Sequence, residues 1–135
     1  MLLIDLDGFK LVNDSYGHEA GDAVLVEIAK RLQSIVRSED IVGRLGGDEF
    51  IVLLHRLGGD ERLAHDRALR VAETLIKTIS KPFYFNGKTL QVGASIGVRL
   101  LGFEEQDTET AISEADSAMY RAKEAGRGCA VFFEK

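Results

Sequence analysis

The glycine pair Gly46-Gly47 constrains the fold more than any other feature, because strand-like apolar segments flank it on both sides. Ile41-Val42 precede the pair and Phe50–Leu54 follow it. Both glycines can adopt positive φ without a Cβ clash, which is typical of a β-hairpin turn. Two acids, Asp48 and Glu49, follow at once, although a hairpin turn does not require them. The stretch therefore predicts a hairpin with two adjacent carboxylates at its tip, an arrangement suited to divalent metal and phosphate chemistry.

Composition limits the classes of protein that this chain can be. With 135 residues, 45% hydrophobic and 29% charged, it has the size and apolar content of one soluble globular domain. The formal net charge of −5 argues against a nucleic-acid groove, which would need a basic stripe, but not against a nucleotide bound with a metal ion. The single cysteine excludes an internal disulfide, and no apolar run approaches the roughly 18 residues of a membrane span. We therefore expect a cytoplasmic domain without a membrane segment, whether or not the parent protein is membrane-anchored.

Apolar periodicity predicts an α+β fold with a largely antiparallel central sheet and helices packed on it. The order of predicted elements is β, α, α, β, β, α, β, β, α, β. Their approximate positions are Leu2–Ile4, Phe9–Tyr16, a helix that ends near Val36, Ile41-Val42, Phe50–Leu54, Asp60–Ile79, Phe83–Phe85, Leu90–Leu100, Thr108–Ala125 and Cys129–Phe133.

Acids also close the first predicted strand, in the sequence Asp5-Leu6-Asp7-Gly8. Carboxylates at the end of a buried strand commonly hold a metal at the edge of a sheet. A turn is the alternative, since Asp-Gly is common in turns. The second acidic pair, Asp48 and Glu49, favours the metal site.

The pentapeptide Gly46–Phe50 is the signature of the GGDEF family, and the chain resembles a diguanylate cyclase domain of that family. The resemblance extends over nearly the whole chain, so we treat residues 1–135 as one such domain. It implies a palm-like sheet similar to that of nucleotide cyclases, with a ferredoxin-like core, and the condensation of two GTP molecules into cyclic di-GMP. The further motifs that carry the resemblance are Asp5–Lys10, Asn13-Asp14, Gly17-His18, Gly21-Asp22, Ala94–Val98, Ala115-Asp116, Ala118–Tyr120, Ala122-Lys123 and Gly126-Arg127.

The resemblance implies a two-metal site. Asp5 and Asp48, with the backbone carbonyl of Leu6, would hold two Mg²⁺ (or Mn²⁺) ions per active site, which suits phosphoryl transfer. Asp48 would accept the proton of the attacking 3′-hydroxyl. Glu49 would share the metal or that proton, and the alternative for Glu49 is a solvated turn acid.

The resemblance also assigns residues to the nucleotide. Lys10 would offset charge on the triphosphate, although an exposed helix lysine is otherwise the commoner situation. Lys123 and Arg127 would contact phosphates. Asn13 and Asp22 would bind guanine, whose N1–H and exocyclic amine suit a carboxylate acceptor. His18 would line the nucleotide pocket or simply begin a helix.

A second site is implied by Arg37-Ser38-Glu39-Asp40, whose register before the hairpin matches the RxxD inhibitory site of the family. Arg37 and Asp40 would bind the product there and inhibit turnover. Taken alone, Arg-x-x-Asp would indicate a salt bridge at a helix C-terminus. Arg44 could join either site or be an edge-strand charge.

The chain departs from the family pattern at its start, where a preceding helix and an Asp-x-Leu-Thr turn are usual. We therefore expect an N-terminally truncated piece of a longer protein, with a fused sensor or EAL domain in the parent. The cyclase is expected to act as a homodimer, because each domain binds one GTP. The alternative is a catalytically silent module that binds GTP or cyclic di-GMP and regulates a neighbouring domain. A purely structural domain would leave the carboxylates and the guanine-binding residues unexplained.

Overall fold

The computed structural model describes residues 1–55, 57–102 and 107–134. The secondary-structure elements in chain order are β1 (Leu2–Asp7), α1 (Phe9–Tyr16), α2 (His18–Ile35), β2 (Ile41–Gly46), β3 (Glu49–Leu53), α3 (Glu61–Ile79), β4 (Phe83–Phe85), β5 (Lys88–Leu90), β6 (Gly93–Val98), α4 (Thr108–Glu124) and β7 (Ala130–Phe132).

The main sheet has five strands in the order β2-β3-β1-β6-β7, and β4 and β5 form a separate two-stranded hairpin. Strand β1 lies at the centre and pairs antiparallel with both β3 and β6. Among the described strands of this sheet, β6 and β7 form the parallel pair. The predicted α+β class and largely antiparallel sheet are thus confirmed. In the described part of the chain, no helix combines the length and apolar character that crossing a bilayer requires.

The two faces of the sheet are covered by different helices, and β1 shows this by alternation. Leu2 and Ile4 pack into the larger core with residues of α2 and α3. Leu3 packs into a second cluster with Ala115 and Met119 of α4. Since successive side chains of a strand point to opposite faces, Asp5 and Asp7 lie on the α4 face together with Leu3.

The single strand predicted over Leu90–Leu100 is wrong. Strand β5 ends at Leu90 and pairs with β4, whereas β6 starts at Gly93 and pairs with β1. The alternation is misleading here because Leu90, Val92 and Ala94 are all buried in one core across the break. Alternation of apolar and polar residues shows which side chains are buried, but it does not show with which strand the segment pairs.

The hairpin prediction is confirmed, with a shift of one residue. Gly46 ends β2 with φ of 146°, and the two turn residues are Gly47, with φ of 51°, and Asp48. The register is irregular between Arg44 and Gly46, which leaves Leu45 unpaired as a bulge. The bulge moves the turn so that Asp48 stands at its tip and Glu49 begins β3.

Arg31 joins α2 to the end of α3. Its Nη1 donates to the carbonyl oxygens of Thr78 at 3.0 Å, Ile79 at 3.2 Å and Lys81 at 2.6 Å. These carbonyls lie in and after the last turn of α3, where a cation also interacts favourably with the helix dipole. The Nε of Arg31 donates to Glu27 at 2.9 Å. One guanidinium therefore serves as the C-terminal cap of a helix distant in sequence.

Arg31→Ala should lower the free energy of unfolding by about 2–3 kcal/mol, because it leaves several partly buried carbonyls without their charged donor. Urea unfolding measures the effect. The matched control is Lys30→Ala, which removes a neighbouring cation from the same helix. Equal losses in the two variants would contradict the capping role.

Candidate active site

Three acids, two from neighbouring strands and one from the hairpin turn, meet at one end of the sheet. Asp5 lies in β1, directly opposite Glu49 of β3. Asp48 is held beside them because its carbonyl oxygen accepts a hydrogen bond from the Leu6 amide at 3.1 Å. Asp5 is thus a residue of the strand itself, since β1 continues to Asp7. The turn that Asp-Gly favours lies at Gly8, with φ of 85°, directly after the strand.

The Asp5 carboxylate is almost completely buried, with 6% exposure. Its Oδ2 forms an ion pair with the Lys123 ammonium of α4. Its Oδ1 finds no hydrogen-bond partner among the residues that the structure describes. A buried carboxylate oxygen without a donor is costly, so this atom is well placed to accept a cation or a donor from a ligand.

Burial and mutual repulsion raise the pKa values of the two acids beside Asp5. The pKa of Asp48 is raised by burial and by the charge of Asp5. The pKa of Glu49 is raised by burial, then by the charges of Asp5, Asp116 and Asp48. The cluster therefore carries more negative charge than Lys123 alone neutralises.

The pKa of Lys123 is also raised, which favours its charged form, whereas the raised pKa values of the two acids favour their neutral forms. Burial lowers the pKa of the ammonium, but the hydrogen bond to Asp5 and the charges of Asp5, Asp48 and Asp7 outweigh burial, so the net shift of the pKa is upward. Lys123 remains protonated and offsets part of the charge of the cluster. The sequence predicts Lys123 near phosphates, whereas the structure also pairs it with an acid of the site.

Two further polar residues join this end of the sheet. Asp7 accepts hydrogen bonds from the Ser95 hydroxyl, at 2.8 Å to Oδ1 and 3.0 Å to Oδ2. Arg127 places its Nε 3.9 Å from Asp7 Oδ1. The sequence predicts Asp7 only as one of the acids that end β1 near a metal, and it assigns no role to Ser95. The alternation Asp5-Leu6-Asp7 is the available signal, because it puts both acids on one face of β1.

The donor set fits a hard divalent cation. Within the described residues, it offers Asp5 Oδ1 without a protein partner and two neighbouring acids with raised pKa values. Among the described residues, no three side chains of the His, Cys, Asp and Glu types converge as a complete metal cage. Such incomplete sets suit Mg²⁺, which commonly takes one or two carboxylates together with substrate phosphates and water.

The residues assigned to guanine lie on the other side of the sheet from α4. Asn13 of α1 packs so closely on Gly21 of α2 that a Cβ at residue 21 would overlap the Asn13 side-chain amide. Lys10, His18 and Asp22 are exposed on α1 and α2.

In the described ranges, no hydrogen bond or ion pair connects Lys10, Asn13, His18 or Asp22 to the carboxylates. The roles of these four residues in nucleotide binding therefore stay predictions. The residues that the structure does bring together are Asp5, Asp7, Asp48, Glu49, Lys123 and Arg127.

The Arg37–Asp40 loop lies at the far end of the hairpin. The Asp40 carboxylate accepts from the Arg37 amide at 2.9 Å and from the His55 amide at 2.7 Å. Arg37 is exposed, and its Nη2 donates to the His55 carbonyl at 3.0 Å. Since β2 has six residues, the loop stands roughly 17 Å from the Asp48 turn. Arg44 is exposed on the edge strand and donates to the Gly47 carbonyl at 3.0 Å, within the turn.

Comparison with known proteins places this arrangement in a family. The family model described as "Diguanylate cyclase, GGDEF domain" matches residues 1–129. The chain is 43% identical, over 99% of its length, to the bifunctional diguanylate cyclase/cyclic di-GMP phosphodiesterase MucR of Pseudomonas aeruginosa. It is 40% identical, over 94% of its length, to diguanylate cyclase A of Treponema denticola. The chain spans only 19% of the first relative and 33% of the second.

A solved structure of a GGDEF domain has the same fold as this chain. The crystal structure of the GGDEF domain of PA1120 (YfiN or TpbB) from Pseudomonas aeruginosa superposes with a TM-score of 0.87 at 43% identity. The match covers 99% of this chain and 81% of that one. The chain is therefore a member of the GGDEF domain family.

Proposed function

We propose that the chain is a diguanylate cyclase domain, which condenses two GTP molecules into cyclic di-GMP and pyrophosphate. The observation that carries the proposal is the convergence of Asp5, Asp48 and Glu49 beside Lys123, at the tip of the family's signature hairpin. Acids with surplus negative charge and a neighbouring ammonium match what phosphoryl transfer requires. That chemistry depends on positioning and on charge stabilisation more than on covalent catalysis.

Each residue has a proposed part. Asp48 takes the proton of the attacking 3′-hydroxyl, since its raised pKa moves a carboxylate towards the basicity of a general base. Glu49 shares that role or the cation. Lys123 and Arg127 bind phosphates, and Lys10 offsets charge on the triphosphate. The remaining proposed contacts are guanine recognition by Asn13 and Asp22, with His18 at the edge of that pocket.

Asp5, Asp48, Glu49 and the Leu6 carbonyl would hold two Mg²⁺ or Mn²⁺ ions. When bound, these ions would neutralise phosphate charge and lower the pKa of the attacking hydroxyl. The chain's own residues would meanwhile orient the carboxylates: the Leu6 amide holds the Asp48 turn in place, and the sheet register fixes Glu49 opposite Asp5.

The product has two phosphodiester bonds and therefore needs two nucleotides facing each other. Each domain would supply one carboxylate cluster and one GTP, so we propose a two-fold homodimer as the active form. A fused sensor or EAL domain in the parent protein would control this pairing. The relatives' much greater length supports such a multidomain parent.

The test of the proposal is incubation of the chain with GTP and Mg²⁺, followed by chromatography of the nucleotide products. Cyclic di-GMP is the expected product, and its yield should rise with the square of protein concentration while dimers are scarce. GTP that is bound but left unchanged by this chain and by its longer parent protein would contradict the cyclase.

A second candidate is a binding module that senses cyclic di-GMP without making it. The observation in its favour is the Arg37–Asp40 loop, which is built separately from the carboxylate cluster. The binding module requires that loop to bind the product, whereas the cyclase uses it only for feedback inhibition and not for turnover. Asp40 has an additional structural part, because its carboxylate holds the backbone amides of Arg37 and His55.

Arg37→Ala should relieve inhibition by added cyclic di-GMP, raising the inhibitory concentration about tenfold or more, and should leave initial turnover unchanged. The variant removes an exposed guanidinium and leaves the Asp40 hydrogen bonds to the backbone intact. Initial rates at increasing product concentration measure the effect. The matched control is Ser38→Ala in the same loop, and unchanged inhibition in Arg37→Ala would remove the second site.

The raised pKa values of Asp48 and Glu49 predict that Mg²⁺, which binds the ionised carboxylates, stabilises the fold more at neutral pH than near pH 4. In the unfolded chain these groups titrate near 3.8 and 4.5. Above these values the folded chain binds more protons than the unfolded chain, so stability falls as pH rises towards the folded pKa values. Mg²⁺ at about 100 times its Kd should add about 2.7 kcal/mol at neutral pH and much less near pH 4.

Thermal unfolding with and without Mg²⁺ at the two pH values checks this expectation. Sodium chloride of equal ionic strength controls for screening of surface charges. Asp5→Asn should lose most of the response at neutral pH. An equal response in that variant would mean that the cation binds elsewhere.

A further inference from the structure

Asp7 carries a carboxylate to which the proposed function assigns no role. It is the last residue of β1, and its side chain is only 12% exposed. Besides the bifurcated hydrogen bond from the Ser95 hydroxyl of β6, its Oδ2 accepts one from the Gly128 amide at 3.2 Å. One carboxylate thus joins two strands of the sheet to the turn that follows α4.

That turn has an unusual backbone. Gly126, Arg127 and Gly128 have φ values of 111°, 66° and 61°. A left-handed conformation is disfavoured for an arginine, so contacts around the turn must hold it. The Arg127 amide donates to the Ala122 carbonyl at 3.0 Å, which ties the turn to α4. The hydrogen bond from Gly128 to Asp7 ties the same turn to β1.

Each of the two cationic side chains near the site lies beside one acid of β1. Lys123 pairs with Asp5, and Arg127, four residues later, places its Nε 3.9 Å from Asp7. The Arg127 side chain is 65% exposed and therefore remains accessible to a ligand. Its backbone position relative to Asp5 is set through Asp7, because Asp5 and Asp7 lie on the same face of one strand.

We propose that Asp7 is a positioning residue for the substrate triphosphate: it anchors the turn of residues 126–128 so that Arg127 presents its guanidinium at the same end of the sheet as Asp5. The proposal rests on the proposed function, since it requires GTP to bind at Asp5 and Asp48. A merely structural Asp7, which only attaches β7 to the sheet, would affect stability and not the recognition of phosphates.

The test is a double-mutant cycle on equilibrium binding of GTP with Mg²⁺, using the wild type, Asp7→Ala, Arg127→Ala and the double variant. GTP affinity is measured with 3′-deoxy-GTP, which carries the same triphosphate and base but lacks the attacking hydroxyl and so is not condensed. Guanosine serves as the second probe because it lacks phosphates. Asp7→Ala should weaken GTP binding about tenfold and leave guanosine binding unchanged. The double variant should bind GTP as Arg127→Ala does, because residues that act through one another are not additive.

Asp7→Asn is the control that tests whether a folding defect explains the loss of GTP affinity in Asp7→Ala. Its amide oxygen can still accept from Ser95 and Gly128, so its thermal midpoint should stay near that of the wild type and part of the GTP affinity should return. Three results would overturn the proposal: additive effects in the double variant, equal weakening of GTP and guanosine, or unchanged GTP affinity in Asp7→Ala.

Product chromatography of the same proteins incubated with GTP and Mg²⁺ separates this inference from the cyclase proposal. A wild type that binds GTP and yields no cyclic di-GMP would contradict the cyclase, whereas the affinity cycle would still decide the role of Asp7.

Discussion

Asp48→Asn should lower cyclic di-GMP formation by about a thousandfold or more, and at the same time leave the thermal midpoint unchanged or higher. The loss of activity follows because the variant removes the proposed proton acceptor and one of the two principal anionic ligands. The stability follows from the raised pKa of Asp48, caused by burial and by Asp5. Folding disfavours this charge, so a neutral amide relieves the folded state. The amide introduced at position 48 can also donate to the Asp5 carboxylate.

The measurement pairs product chromatography with thermal unfolding at neutral pH without divalent cation. Glu73→Gln, which removes one exposed negative charge from α3, is the control for net charge. A variant that keeps wild-type activity would disprove the assignment of Asp48. A variant that loses activity and stability together would show that the acid holds the fold instead of acting in the site.

Gly97→Ala should destabilise the domain by about 3 kcal/mol or more, the largest stability effect we expect from a single methyl group. A Cβ at residue 97 would lie 2.0 Å from the Ala115 carbonyl oxygen and 2.4 Å from the Met119 amide nitrogen. Both atoms belong to the backbone of α4, so no side-chain rotation can relieve the overlap. The helix would have to move away from β6, and Lys123 would move with it.

Gly93→Ala is the matched control on the same strand. Its added methyl would meet Asp7 Cβ at 3.5 Å, which is an ordinary contact, and we expect a change within about 1 kcal/mol. Urea unfolding of both variants measures the difference. Similar midpoints for the two would mean that α4 does not pack closely on β6 in solution. GTP affinity should fall in Gly97→Ala alone.

Local features of this protein can be predicted from sequence because their causes are local. Helical spacing of apolar residues accounts for the buried stripe of α3, which includes Ala64, Ala68 and Leu75. Gly126 is predicted to follow the end of α4, and it stands in the left-handed conformation just after the cap. The conformational freedom of glycine predicts the hairpin at Gly46-Gly47, although the bulge at Leu45 moves its turn by one residue.

Contacts between distant segments are not visible in the sequence. The break between β5 and β6 escapes periodicity, because the same core buries residues on both sides of it. The pairing of Lys123 with Asp5 depends on which face of β1 lies against α4. Asp40 reaches the His55 amide only because the hairpin brings the end of β3 back beside it.

Local sequence patterns are thus sufficient for the helices and most of the strands, since each depends on neighbours within a few positions. The acids of the carboxylate cluster are predicted from their motifs and from the resemblance to the GGDEF family. Three features required the folded chain: Asp7 holds the turn bearing Arg127, Gly97 admits α4, and the Arg37–Asp40 loop lies a full strand length from Asp48. These features follow from strand order and register. Order and register are set by the packing of the whole core. Each residue contributes only a small part of that packing, so no single residue reveals the order or the register in the sequence.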